Sequence, residues 1–243
     1  MAERAHRVGL IVPSSNVTME TEVPALLRRR EEAHPERFTF HSSRARLKQV
    51  TPEALRAMNA ETTRCAVELA DAGCDVVATA CLVAIMAQGP GYHLRAEREL
   101  ADALAGEGSS APVISSAGAL IEALRALGAH RVALVAPYLR PLTALVAEYI
   151  EDGGIAVADT LSLEVPDNLQ VAALDPAALR DHWRRLDLAG CDALVLSACV
   201  QMPSLAAIEP VEDACGIPVL SAATATTLCI LGALGLQSAI PGA

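Results

Sequence analysis

Short apolar segments alternate with segments of helical periodicity along the whole chain. Segments 52–71, 94–105, 118–127, 139–151 and 176–189 have helical spacing and good helix formers. This alternation predicts an α/β fold with parallel sheets and right-handed crossovers. The apolar runs between the helical segments have the length and composition of buried strands: Arg7 to Val12, Arg37 to His41, Asp75 to Thr79, Pro112 to Ser115, Arg131 to Ala136, Ile155 to Val165, Asp192 to Leu196 and Pro218 to Leu220.

The second half of the chain repeats the first. The repeated segments are AHRVGLIVPSSN (5–16) and AHRVALVAPYLR (129–140), AGCDVVATACLVAIM (72–86) and AGCDALVLSACVQM (189–202), and APVISSAGA (111–119) and IPVLSAATA (217–225). Three matches in the same order predict two similar Rossmann-like lobes related by an approximate two-fold axis, with the active site in the cleft between them.

The position of one helix in the repeat predicts where each lobe ends. The helical stretch 116–128 directly precedes a strand, whereas the corresponding stretch, 222–235, lies at the end of the chain. We therefore expect the C-terminal helix to pack on the N-terminal lobe. Lobe one would then comprise residues 1–116 plus 222–243, and lobe two residues 117–221.

Composition narrows the class of protein. The chain has 243 residues, 52% of them hydrophobic, and a net charge of -10. This acidic balance argues against nucleic-acid binding, and the basic run Arg28 to Arg30 is interpreted as the solvated end of a helix. Neither a membrane span nor a signal peptide is evident, so we expect a cytoplasmic protein. The high apolar content favours a homodimer or larger homo-oligomer.

The sequence gives no indication of a cofactor or a metal. It contains no GxGxxG after a strand, no GxxxxGK[ST] and no HExxH pattern. The seven cysteines include no CxxC pair and no Cys/His ligand cluster, which favours reduced thiols over disulfides or zinc.

Two cysteines occupy corresponding positions in the repeat. Cys81 follows the strand-like segment DVVATA, and Cys199 follows DALVLSA. Ligands of open parallel sheets bind beyond the carboxyl ends of the strands. A following helix and nearby backbone N–H groups would favour the thiolate there. We therefore expect two thiols to face each other across a cleft, and the other five cysteines to be buried in the core.

Small polar residues follow other predicted strands. Ser14, Ser15 and Asn16 come after the first strand, Tyr138 after the fifth and Asn168 after the sixth. Ser15 or Asn16 could cap a helix, and a capped helix start is also a site for anions. Tyr138 could instead anchor a loop.

The motifs around these residues resemble those of maleate cis-trans isomerases, in the superfamily of aspartate/glutamate racemases and arylmalonate decarboxylases. The resemblance runs nearly end to end and is most specific in VPSSNVTMETEVP (12–24), TACLVAIMAQGPGYH (79–93), VAPYLRP around Tyr138, VPDNL around Asn168 and SACVQMPS (197–204). It implies that the substrate is maleate, a small dicarboxylate, and that Cys81 attacks an olefinic carbon while Cys199 handles a proton.

The resemblance also implies roles for other residues. Asn16, Tyr138 and Asn168 match family positions that hold the substrate carboxylates. Further candidate donors are the backbone N–H groups near Leu82, Val83 and Val200 and, more weakly, the side chains of Ser14 and Ser15.

Two other functions fit parts of the pattern. One is an amino-acid racemase or an arylmalonate decarboxylase of the same superfamily, and the other is a non-enzymatic protein that binds small organic acids. None of the residues matched to substrate-binding positions is an Arg or Lys, although the substrate is a dianion, so electrostatic steering should be weak unless a basic residue such as Arg95 or Arg140 lies at the mouth.

Overall fold

A computed structural model describes residues 4–48 and 50–237 of the chain. Over these residues the strands are β1 (His6–Pro13), β2 (Phe38–Ala45), β3 (Val76–Thr79), β4 (Val113–Ser115), β5 (Arg131–Ala136), β6 (Ala156–Ser162), β7 (Ala193–Ser197) and β8 (Val219–Ser221). The helices are α1 (Met19–Glu31), α2 (Pro52–Asp71), α3 (Leu82–Met86), α4 (Tyr92–Gly106), α5 (Ser116–Ala126), α6 (Arg140–Asp152), α7 (Asn168–Ala172), α8 (Pro176–His182), α9 (Leu205–Cys215) and α10 (Ala222–Ala233).

The strands form two parallel sheets with the same strand order. One sheet has the order β2-β1-β3-β4 and the other β6-β5-β7-β8. Every residue of β3 and of β7 is buried, as expected when helices cover both faces of a parallel sheet. The prediction of two like α/β halves with parallel sheets is confirmed.

The fourth strand of each sheet ends in a serine that caps the next helix. The Ser115 side chain accepts a hydrogen bond from the Gly118 N–H, and the Ser221 side chain accepts one from the Thr224 N–H. Capping of this kind satisfies a backbone donor that a helix start leaves free. The same local chemistry therefore starts α5 and α10, which correspond in the repeat.

The segment 176–189 is not a single helix, contrary to the prediction. Helix α8 ends at His182, a 3₁₀ turn follows, and Leu186 is already extended. The Asp187 N–H donates to an Asp159 carboxylate oxygen at 2.9 Å, and an oxygen of Asp187 accepts from the Ala189 N–H. These bonds hold the segment as a loop that leads into β7.

The basic run at the end of α1 is only partly solvated. Arg28 is exposed, but Arg30 is 1% exposed and donates to the Gln237 carbonyl at 2.7 Å. It also pairs with Glu36 at 3.1 Å. The interpretation of Arg28 to Arg30 as a solvated helix end is therefore wrong for Arg30, whose guanidinium is buried against the half-buried Glu36 and the Gln237 carbonyl.

Helix α10 packs against α5, and also against α1, β3 and β4 of the first half. The predicted lobe boundaries stay a prediction, and residues 1–3, 49 and 238–243 of the predicted lobes lie outside the described residues. Within the described part of the chain, no helix is both long and apolar enough to cross a membrane.

Candidate active site

A small cavity lies where the carboxyl ends of strands from both sheets converge. Its volume is about 20 Å³, which is room for about one water molecule. We name it the central cavity. Its lining comes from both halves of the chain: Pro13, Asn16, Leu47, Val50, Cys81, Leu82, Val83, Tyr138, Asn168, Cys199, Val200 and Gln201. The structure thus brings the two repeated cysteines to one site.

Cys81 joins β3 to α3 in a conformation that side chains rarely adopt. Its φ is 75° and its ψ is 64°, in the left-handed region. Such a conformation costs a non-glycine residue about 1–2 kcal/mol and persists only where the surrounding structure enforces it. The Cys81 carbonyl accepts from the Ala84 N–H at 3.0 Å, which starts α3. The turn thus places Cys81 at the cavity wall.

Burial controls the protonation of Cys81. It raises the pKa of the thiol to about 12, although an N–H bond from Ala84 lowers the pKa and the proximity of Cys199 raises it further. The expected stabilisation of the thiolate by the helix start is therefore outweighed by the loss of water. Cys81 is a neutral thiol at pH 7.

Cys199 is 7% exposed and has three hydrogen-bond donors nearby. Burial raises the pKa of its thiol, whereas the Tyr138 hydroxyl and the N–H groups of Gln201 and Met202 lower it. The Gln201 N–H lies 3.4 Å from Cys199 Sγ. As a thiolate, Cys199 therefore has more hydrogen bonds to stabilise its negative charge than Cys81 has.

Tyr138 lies in the loop between β5 and α6 and is 7% exposed. Burial, together with the nearby Cys199, raises the pKa of its phenol well above the usual value. Its hydroxyl donates to the Ala198 carbonyl at 3.3 Å. Tyr138 therefore stays protonated, and its one O–H proton is shared between the Ala198 carbonyl and Cys199.

Asn16 caps α1 with one end of its amide. Its Oδ1 accepts from the Thr18 N–H at 3.1 Å and from the Met19 N–H at 3.0 Å. The cap fixes the side chain so that the NH₂ group, the donor end, is left for the central cavity. The two roles predicted for this position, helix cap and anion donor, are compatible in one side chain.

Asn168 is the first residue of α7, after the N-cap Asp167. Its Nδ2 donates to Ser15 Oγ at 2.7 Å, so it contacts the first half of the chain. Asn16 and Asn168 thus reach the central cavity from opposite halves.

The remaining predicted donors are placed differently. Leu82, Val83 and Val200 line the central cavity, and the N–H groups of Leu82 and Val83 belong to the start of α3. Ser14 is exposed, does not line the cavity, and exchanges hydrogen bonds with the Leu47 backbone. Ser15 also lies behind the lining, where it accepts from Asn168.

The sequence reasoning missed Gln201. This residue is 2% exposed and lines the central cavity. In the repeat, Gln201 corresponds to Val83, since each stands two residues after its cysteine. A polar side chain in place of an apolar one was the signal that could have found it.

A wider outer cavity adjoins the central one and shares Val50, Tyr138 and Asn168 with it. Its lining includes Lys48 and Asp167. The two basic residues suggested from sequence lie elsewhere: both form ion pairs, Arg95 with Glu99 and Arg140 with Glu164, and neither lines these cavities.

Comparison with known proteins identifies the family to which this chain belongs. The model of the arylmalonate decarboxylase family matches residues 8–243. The maleate isomerase of Geobacillus stearothermophilus is 58% identical over 98% of this chain and 95% of its own. The chain belongs to the maleate isomerases of this family. The family membership inferred from the motifs is therefore confirmed.

Solved maleate isomerases share the fold over nearly the whole chain. A Pseudomonas putida enzyme with maleate has 54% identity and a TM-score of 0.97, covering 98% of this chain and 96% of that one. A Nocardia farcinica maleate cis-trans isomerase in which a cysteine is replaced by serine has 53% identity and a TM-score of 0.95, covering 99% and 97%. That variant carries a covalently bound succinylcysteine intermediate.

The other cysteines are separate from the central cavity. Cys65, Cys74 and Cys191 are buried, as predicted, but Cys215 and Cys229 are only half-buried. Among the described residues, no three His, Cys, Asp or Glu side chains are grouped as metal ligands. The chemistry available at the cavity is thus that of two thiols, a phenol, side-chain amides and backbone N–H groups.

Proposed function

We propose that this protein converts maleate to fumarate through a covalent bond between Cys81 and the substrate. The observation that carries the proposal is that Cys81 and Cys199 line one small cavity together with Asn16, Tyr138 and Asn168. The family supports the same reaction, since relatives at over half identity are maleate isomerases. We assign the nucleophile to Cys81 and the proton-handling role to Cys199.

The first step adds a thiol across the double bond. Cys81 Sγ bonds to one olefinic carbon, and the π electrons move to the neighbouring carbon. Cys199 gives its proton to that carbon and receives the proton that Cys81 loses, so the product is a succinyl thioether on Cys81. Because burial raises the pKa of Cys81 and the thiolate is the nucleophilic form, the proton has to leave Cys81 as its sulfur bonds to carbon.

The second step is rotation and elimination. The former double bond is now single, so the two carboxylates turn from cis to trans. Cys199 then removes the proton from carbon, the double bond re-forms and the S–C bond breaks with return of the proton to Cys81. Covalent catalysis thus replaces one very high barrier by several lower ones.

The carboxylates need donors that match the charge developing during addition. The Asn16 and Asn168 amides, the Tyr138 hydroxyl and the N–H groups near Leu82 and Val200 supply them in a site with little water. Removal of one such preorganised donor typically costs about 3 kcal/mol.

Further parts of the proposal concern the state of the protein in the cell. We expect it to work without metal or organic cofactor, as a homodimer or larger assembly in the cytoplasm, and without nucleic acid. The net charge of -10 supports the expectation that no nucleic acid binds, and the apolar content of 52% supports the expectation of an oligomer. Analytical ultracentrifugation tests the assembly, and a monomer would contradict it.

The test of the reaction is a proton NMR assay of maleate with the purified protein. We expect a fumarate signal that needs no added nucleotide. If no fumarate forms and the protein instead racemises an amino acid, the racemase alternative replaces this proposal.

The roles of the two thiols are tested by substitution. We expect Cys81→Ala and Cys199→Ala each to lower kcat by about 10³-fold or more, as loss of one member of a catalytic unit does. Cys215→Ala is the matched control, because this cysteine is half-buried at the end of α9 and does not line the cavity. Activity in either cavity variant close to that of the control would contradict the assignment.

A further inference from the structure

We infer that Gln201 is a positioning residue, which fixes the span between the two loops that would hold the two substrate carboxylates. The inference rests on the proposed function. The first loop, residues 14–18, joins β1 to α1 and carries Asn16. The second loop follows β6, leads into α7 and ends in Asn168. Gln201 lies between them, next to Cys199.

Both the oxygen and the nitrogen of the Gln201 side-chain amide form hydrogen bonds with the first loop. Its Oε1 accepts from the Val17 N–H at 2.9 Å and from the Thr18 N–H at 3.4 Å. Its Nε2 donates to the Ser15 carbonyl at 2.8 Å. The Thr18 hydroxyl in turn donates to the Gln201 carbonyl at 2.8 Å. These four bonds enclose Asn16 from both sides along the chain.

The same amide nitrogen holds the second loop. Gln201 Nε2 donates to the Asn168 carbonyl at 2.9 Å, and Asn168 Nδ2 donates to Ser15 Oγ at 2.7 Å. The backbone N–H of Gln201 also points to Cys199 Sγ at 3.4 Å. One buried residue is therefore bonded to both carboxylate loops and to the proton-handling sulfur.

This arrangement is specific to the second half of the chain. The corresponding residue of the first half, Val83, has an apolar side chain, so the shared fold does not require an amide at this position. The two carbonyls that accept hydrogen bonds from Gln201 Nε2 belong to different loops. One planar amide therefore sets the distance between the two loops. Loops that are already held in the binding geometry cost less to order when the substrate binds, so this span matters for the affinity for a dicarboxylate.

Two substitutions separate positioning from folding. Gln201→Met keeps the length of the side chain and removes its hydrogen bonds. Gln201→Glu keeps an acceptor for the Val17 and Thr18 N–H groups but turns an oxygen towards the carbonyls of Ser15 and Asn168. Gln170→Glu is the charge control, because Gln170 is exposed on α7, close to the second loop.

The readout is the KM for maleate, measured separately from kcat, with circular dichroism as the check of folding. We expect both Gln201 variants to raise KM about 10-fold to 100-fold, because the loops lose their preorganisation for the two carboxylates, and Gln170→Glu to leave KM within about twofold. A purely structural role would lower the folded fraction, and hence the apparent kcat, at unchanged KM.

Three results would overturn the inference: unchanged KM in folded Gln201 variants, an equal rise of KM in Gln170→Glu, or failure of both Gln201 variants to fold. The wild-type protein separates this inference from the proposed function. Absence of fumarate formation by the wild type contradicts the proposed function, whereas unchanged KM in the variants contradicts only the role of Gln201.

Discussion

The two thiols of the central cavity differ in what surrounds them. Burial raises the pKa of both, but Cys199 has the Tyr138 hydroxyl and two backbone N–H groups to offset it, whereas Cys81 has one N–H from Ala84. The sulfur with more donors is the better temporary holder of negative charge. This asymmetry supports the assignment of Cys199 to proton transfer and of Cys81 to bond formation.

The pKa of Cys81 gives a prediction for its reactivity towards iodoacetamide. The thiolate is the reactive form, and below the pKa its fraction rises about tenfold per pH unit. With a pKa of about 12, the alkylation rate should keep rising between about pH 7 and about pH 10, whereas a free cysteine levels off above about pH 8.5. Mass spectrometry of the Cys81 peptide over time measures the rate. A plateau below pH 9 would show an ordinary thiol.

The two ends of the Asn16 amide can be tested separately. Asn16→Asp keeps the oxygen that caps α1 but replaces the NH₂ donor by a negatively charged oxygen that faces a dianion. We expect little change in the melting temperature and a rise in the KM for maleate of about 100-fold, equivalent to about 2.7 kcal/mol. Asn16→Ala should lower the melting temperature as well. A KM close to wild type in Asn16→Asp would remove Asn16 from the carboxylate site.

At the scale of elements, the repeat and the strand pattern determine most of the fold. Buried parallel strands are continuous apolar runs, so β3 and β7 are visible in the sequence, and the capping serines mark where α5 and α10 begin. The loop after α8 is not visible in the sequence, because it is held by a bond between Asp187 and Asp159, residues far apart in sequence.

A site residue could be predicted from the sequence where its position is determined by neighbouring residues in the chain. Cys81 and Cys199 stand at corresponding strand ends, a feature of local sequence. The burial of Arg30 depends on Glu36 and the Gln237 carbonyl, and the role of Gln201 depends on one loop from the other half of the chain and one from its own half. Hydrophobic periodicity contains no information about contacts between distant segments, so the roles of these residues could be identified only from the structure.

Helix α9 has a capping partner from the other half of the chain. The Glu22 carboxylate, on α1, accepts from the Ser204 N–H at 2.6 Å and the Leu205 N–H at 2.7 Å. Glu22→Ala would leave these buried donors unpaired, so we expect a loss of about 1–3 kcal/mol in the free energy of unfolding, measured with urea. Glu22→Gln, which keeps an acceptor, is the matched control. Equal stability of the Ala variant and the wild type would contradict the capping role.

The control variant also tests the protonation of Glu22. Burial raises the pKa of this carboxyl despite three hydrogen bonds that lower it. The folded protein therefore binds the proton more tightly than the unfolded chain, and the associated stability is lost as pH rises through the folded pKa. As the pH rises through this pKa, the free energy of unfolding of the wild type should fall relative to that of Glu22→Gln. A constant difference would show that the pKa is not raised.

At the scale of the whole molecule, an acidic protein must admit a dianion. The net charge is -10, and the exposed Lys48 at the outer cavity is accompanied by Asp167. We expect kcat/KM to change less than about threefold between low salt and about 0.3 M salt, because one surface cation is largely screened. Lys48→Ala should have a similarly small effect. A steep fall of kcat/KM with salt would reveal a basic mouth that steers the substrate.

The central claim is that sulfur of Cys81 bonds to carbon while Cys199 handles the proton. Mass spectrometry of the Cys199→Ser variant after incubation with maleate tests it most directly, because a weaker proton relay should leave the adduct in place. We predict a succinyl group on the Cys81 peptide, absent from Cys81→Ala treated in the same way. An adduct on another residue, or an active enzyme that lacks Cys81, would contradict the account.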